Sequence, residues 1–194
     1  LYADPPLSTR QILHPGKYFV EREPPLRFFP AQLLRRFKDG AIVEQTLGED
    51  LMIGLLAGGR SVRAAEEIAA AWRGDQLFAF VDNRAPATVW LSAWRTEQQA
   101  QEFLRAYRTA LETRHRVRFD SAAANTLALA SGRDQRGWLL QRKETVVLLV
   151  SAAPASRLTE LATETWRDLE IEQETPEMRF ESAQASSQLS VKSR

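Results

Sequence analysis

The chain predicts an α+β fold: an irregular N-terminal arm and short helices, then two ββα units forming one antiparallel sheet with helices packed on one face. Three observations lead there. "QLFAFVD" (76–82) and "TVWLSAW" (88–94) are rich in β-branched and aromatic residues, and Asn83-Arg84-Ala85-Pro86 between them reads as a hairpin connection. Ala100, Phe103, Leu104, Tyr107 and Leu111 then draw a single stripe at helical spacing. The order recurs: "GWLLQRK" (137–143), "TVVLLVSA" (145–152), and a run with Leu158, Leu161, Ala162, Trp166 and Leu169 on one helical face.

Each segment has its own reason. Residues 1–30 carry Pro5, Pro6, Pro15, Pro24, Pro25 and Pro30. Proline fixes φ and lacks an N–H, so this segment reads as an arm with one helical turn at 8–13, laid on a surface by Tyr2, Ile12, Leu13, Tyr18, Phe19, Phe28 and Phe29. Residues 31–74 read as helical. A short helix stops at Asp39-Gly40. A second runs from Thr46 with Leu47, Leu51, Ile53 and Leu55 as apolar surface, and Gly58-Gly59 ends it. Thr46 and Glu49 have the spacing of a capping box. Ser61 caps a third helix, Thr96 with Gln99 caps the long one, and Ser156 caps the last. The sheet module occupies 75–170, with a loop at 120–136 and a second turn centred on Lys143 and Glu144. Residues 171–194 are polar and read as a frayed tail.

Composition excludes several classes of function. The 26 basic and 25 acidic residues leave a net charge of +1, so no bulk charge draws the chain to nucleic acid or an anionic membrane. No stretch approaches the ~18 apolar residues of a transmembrane helix. There is no cysteine, which removes disulfides, thiolate nucleophiles and Cys-based zinc sites. The two histidines, His14 and His115, are far apart and belong to no HExxH, so a self-contained zinc site is not expected. His115 reads as a cation at a helix C-terminus, and His14 as an imidazole that positions the arm. No GxSxG, Walker A or GxGxxG is present. Glu44, Glu49 and Asp50 form a carboxylate cluster that could serve acid–base chemistry, although capping and solvation explain it. Trp90 and Trp94 share strand parity and form a candidate binding face wherever helices leave it uncovered.

Three segments together resemble a known family. "DPPLSTRQILHPGKYF" resembles a "PP-x-ST-x-Q-x-LHP-x-KY" segment. "AAEEIAAAWRGDQLFAF" resembles an "AA-x-GW-x-GDR" junction, and "VWLSAWRTEQQAQEFLRAY" a "W-x-x-x-W-DSE-x-DA-x-EF" junction. In this order they resemble a largely uncharacterised bacterial and haloarchaeal family, often secreted or lipid-anchored, that is similar to zincin-like metallopeptidases. In that family an HExxH region precedes these segments. This chain departs from the pattern in having Ala71 before Trp72, and Arg95-Thr96 where Asp-Ser stands.

The resemblance implies a non-catalytic C-terminal portion of a zinc-dependent peptidase, supporting or walling a substrate cleft whose metal ligands lie upstream. Zinc would then belong to the intact protein, with no cofactor held by this chain. The partners implied are an upstream N-terminal half and a peptide substrate, and the location secreted, periplasmic or lipid-anchored. Ser8, Thr9, His14, Trp72, Gly74, Asp75, Trp94 and Phe103 are the motif positions carried over, with structural roles. His14 is also a candidate binding residue. The alternative is a non-enzymatic cell-envelope binding module that uses the Trp90 and Trp94 face.

Overall fold

A computed structural model describes residues 6–21, 23–37, 42–120 and 135–175, and the backbone alone of 127–131. The arm folds as two short helices, α1 (Thr9–Leu13) and α2 (Pro15–Phe19), followed by strand β1 (Leu26–Pro30) and helix α3 (Ala31–Arg36). Strand β2 (Val43–Gln45) leads into α4 (Gly48–Ala57) and α5 (Val62–Ala69). The first ββα unit is β3 (Trp72–Asp82), β4 (Ala85–Trp94) and α6 (Glu97–His115). Strand β5 (Leu127–Ser131) precedes the second unit, β6 (Gly137–Lys143), β7 (Val146–Ala152) and α7 (Leu158–Trp166), and β8 (Leu169–Gln173) follows. The run at 120–136, expected to be a loop, thus contains a strand.

One antiparallel sheet has the order β2-β3-β4-β7-β6-β5, and a second pairs β1 with β8. The two ββα units meet at the centre, where β4 pairs with β7 and Trp90 stands opposite Leu149. Alternation along β4 sends Trp90 and Trp94 to one face and Val89, Leu91 and Ala93 to the other. Two cores result. Helices α4, α5 and α6 cover the first face, with Met52, Leu56, Ile68, Phe103 and Leu104 buried there. Helices α3 and α7 cover the second with β1, through Leu33, Leu158, Leu161 and Phe28. The helices are therefore divided between the two faces, one unit's helix on each. Burial of both faces requires this, because β4 and β7 are apolar on both sides.

The first connection is tighter than the four-residue link expected. Asp82 pairs with Ala85, leaving Asn83 and Arg84 as a two-residue turn at φ 50° and 65°. Positive φ at both central residues matches the right-handed strand twist. Ser61 accepts from the Ala64 N–H and Thr96 from the Gln99 N–H, as their helix-start positions predict. Ser156 caps nothing: a 3₁₀ turn (Ala155–Arg157) precedes α7, which has no side-chain cap. All five stripe residues of α6 are buried. On α4 the buried stripe is Met52 and Leu56, while Leu51 is exposed. The arm and the start of the polar tail are tied together, because β1 pairs with β8 through Phe28 and Ile171. The tail beyond 175 lies outside the described residues.

Candidate functional site

Two of the familiar segments meet the start of α4 at one seam, through α1 and the start of β3, and the third reaches it from β4 through Trp90. Its centre is Asp75, which has no solvent exposure. A register shift between Trp72 and Gly74 brings Trp72 and Asp75 to the same face of β3, although they are three residues apart. The Asp75 carboxylate accepts four hydrogen bonds. The Trp72 and Trp90 indoles donate at 3.1 and 3.0 Å, and the Leu47 and Gly48 backbone N–H groups each donate at 2.9 Å. Asp75 therefore caps α4 from another strand, satisfying donors that a helix start leaves free. Burial pushes its carboxyl above the usual carboxylate range, against the downward pull of these four donors.

This corrects the expected capping box. Thr46 makes no cap, and α4 begins at Gly48 without a side-chain cap from its own N-cap residue. Glu49, freed from that role, is buried and accepts from the arm: His14 Nε2 lies 2.7 Å from its Oε1. The other oxygen, Oε2, is buried without a hydrogen-bond partner. His14 itself is 42% exposed at its side chain. Close contact fixes this arrangement: Gly48 has φ +78°, and a Cβ there would stand 2.5 Å from Thr9 Oγ1. Ser8 caps α1 by accepting from the Gln11 N–H.

The arm is anchored by a second buried group. Arg10 is 3% exposed and donates to the Trp72 carbonyl. Glu23 receives Arg10, Lys17, Arg73 and Arg95, the nearest being Arg73 at 2.8 Å. Burial pulls the Arg10 guanidinium below its ordinary value, with Glu23 opposing. Gln11 donates to the Glu23 carbonyl at 3.1 Å and accepts from the Leu7 N–H at 2.6 Å. Neither Arg10 nor Glu23 was singled out from the sequence, since nothing in their local spacing shows that the arm returns to β3.

The remaining site expectations sort themselves by burial. Trp90 and Trp94 are 3% and 2% exposed, so the tryptophan face offers no free binding surface. The cause is α6: Phe103 stacks on Trp94 at 4.2 Å, and Tyr107 meets Trp90 edge-on at 5.2 Å. The indole N–H groups are also spent, on Asp75 and on Ser92. Phe103 is thus a core residue. Glu44, Glu49 and Asp50 do not act together: Glu44 lies on β2 and accepts from Arg27 and Gln76, Glu49 holds His14, and Asp50 is exposed. His115 lies at the end of α6 and packs against Trp138 at 4.6 Å. Among the described residues no group of three or more His, Asp or Glu could hold a metal ion.

The closed α6 face has a pH signature. Burial pushes the Tyr107 phenol up to about 12. Because the folded state holds this proton more tightly, the associated stability is complete below the ordinary phenol pKa of ~10 and lost as pH rises through 12. Spectrophotometric titration should show one tyrosine ionising about two units late, together with a stability loss of about 3 kcal/mol across that window. A phenol titrating normally in the folded protein would mean that α6 does not cover Trp90.

The chain belongs to the family described as a domain of unknown function, DUF8575, whose model matches residues 35–162. No curated protein matches it. Among solved structures the chain is similar to the extracellular domain of PknH from Mycobacterium tuberculosis, at 8% identity and a TM-score of 0.41, over 78% of this chain and 88% of that one. A likeness of that strength carries no argument about activity. No helix among the described residues is long and apolar enough to cross a membrane.

Proposed function

We propose that this member of the DUF8575 family is a supporting, non-catalytic portion of a zinc-dependent peptidase, with the HExxH region elsewhere in the polypeptide. The observation that carries the reading is the outer face of the seam. There His14, 42% exposed, follows exposed Leu13 at the end of α1, and α2 ends on exposed Phe19 and Val20. Exposed large apolar side chains on the arm favour a further packed segment over water. The three motif segments that prompt the resemblance converge behind this face.

The donor chemistry agrees with metal ligands that lie elsewhere in the polypeptide. His14 Nε2 and Glu49 Oε1 are 2.7 Å apart and hydrogen-bonded to each other, closer than the roughly 3.3 Å between two ligands of a tetrahedral zinc ion with bonds of about 2.0 Å. When bound upstream, such an ion would polarise a peptide carbonyl. The part of this chain would be to support that region with an arm fixed through Thr9, His14, Gly48, Glu49 and Asp75. A secreted, periplasmic or lipid-anchored location, and a peptide substrate, go with the same reading. The envelope-binding alternative has lost the tryptophan face it needed.

Determining the complete polypeptide encoded by the gene tests this directly. The expected result is an HExxH segment preceding Leu1 and zinc bound by the intact protein. A complete reading frame without HExxH contradicts the proposal.

A further inference from the structure

We propose that the cavity between α7 and β6 is a binding site for a small organic acid with a flat apolar body. It lies on the second face of the sheet, away from the seam, and does not depend on the peptidase reading. The cavity measures about 360 Å³ and opens to solvent, a size that takes small molecules.

Strand parity builds its floor. Leu139, Gln141 and Lys143 alternate along β6 with Leu140 and Arg142, so all three share the face that α7 covers. Leu139 belongs to the second core, but the next two positions on that face are polar, and α7 does not seal against them. Ala162 and Trp166, one turn apart on α7, make the opposite wall. The Trp166 indole N–H donates to Gln141 Oε1 at 2.7 Å, which fixes the ring and leaves the Gln141 amide nitrogen as a donor. Trp166 is half-buried, whereas Trp72, Trp90, Trp94 and Trp138 are buried.

Charge selects the ligand. Lys143 and Arg167 line the cavity and no carboxylate does; its other polar groups are Gln141 and the neutral hydroxyls of Thr159 and Thr163. Among the described residues neither cation pairs with an acid, whereas Arg35, Arg36, Arg142 and Arg157 all do. Lys143 Nζ instead stands 4.5 Å from the centre of the Trp166 ring, which sets positive charge beside the apolar wall. A carboxylate entering here finds two cations and an amide as donors. A flat apolar body finds Leu139, Ala162 and the indole. Inorganic phosphate would use only the first half of this lining, and a neutral aromatic only the second.

Calorimetric titration of the intact polypeptide with phenylacetate tests the site, with phenylacetamide and inorganic phosphate as half-matched probes. Phenylacetate should saturate one site in the millimolar range or below, and each half-matched probe should bind at least about fivefold more weakly. Lys143→Gln should weaken phenylacetate by about fivefold, the loss of one charged contact at an exposed position. Arg63→Gln, which removes half of an exposed ion pair with Glu67, should leave the affinity unchanged. Bound phenylacetate should also shield Trp166, the accessible indole, from acrylamide quenching in the wild type, a readout that needs no variant. Absence of saturation by phenylacetate, equal affinity for either half-matched probe, or wild-type affinity in Lys143→Gln overturns the proposal.

Discussion

Asp75→Asn should lower the stability of this fold by about 2–4 kcal/mol, which for a chain of this size is a fall of roughly 5–15 °C in Tm. The carboxylate accepts from Leu47, Gly48, Trp72 and Trp90 at a site with no solvent exposure. The amide keeps one acceptor oxygen and turns an NH₂ group toward donors. Two of the four N–H groups are then buried without an acceptor, at about 1–3 kcal/mol each. Thermal melts monitored by circular dichroism would measure the effect. Near wild-type stability would mean that Asp75 is not the cap of α4. The loss should appear as a change in stability at every pH where both proteins fold, because the defect is one of geometry.

Gly74→Ala should cost about 3 kcal/mol or more. Gly74 lies on β3 facing β1, and a Cβ at this position would overlap the backbone carbonyl of Leu26. Backbone cannot rotate away as the end of a side chain can, so β1 must move. Since β1 carries Phe28 into the second core and pairs with β8, the change should loosen both. Limited proteolysis should then cut within 20–30 faster than in the wild type, alongside a lower Tm. Gly54→Ala is the control. Nothing lies within 4 Å of its Cβ position on α4. There the extra methyl should be neutral or stabilise by about 0.5–1 kcal/mol through helix propensity. Equal behaviour of the two variants would remove the close approach of β1 to β3 from this description.

Local chemistry explains which parts could be read before the structure. Thr96 with Gln99 and Ser61 with Ala64 are helix starts decided within a single turn, and both are where their spacing puts them. The α6 stripe was legible because one helix meets one core. The misreadings fall where a distant residue overrides a local pattern. Thr46 and Glu49 have capping-box spacing, but Asp75 supplies the cap and Glu49 turns to His14. Trp90 and Trp94 do point the same way along β4, yet parity cannot say what covers a face, and α6 covers this one. Strands β5 (LALAS) and β8 (LEIEQ) do carry a signal, an apolar run and a period-two alternation, but each is five residues long and stands beside a polar segment that reads as loop or tail. Of the motif positions, Ser8, Thr9, Trp72, Gly74, Asp75, Trp94 and Phe103 are all engaged in caps, close approaches or aromatic packing. His14 alone among them presents a polar atom type useful for metal chemistry near the surface.

Coupling between the arm and the start of α4 underlies everything proposed for His14 and Glu49, and amide hydrogen exchange on wild-type and Asp75→Asn protein tests it most directly. Loss of the Asp75 cap should lower protection at Leu47 and Gly48 and, to a similar degree, along α1 at residues 9–13, because Thr9 packs on Gly48 and His14 on Glu49. Lowered protection at 47–48 with unchanged protection along α1 would contradict a shared seam, and would leave the arm an independent segment with no hold on the histidine it carries.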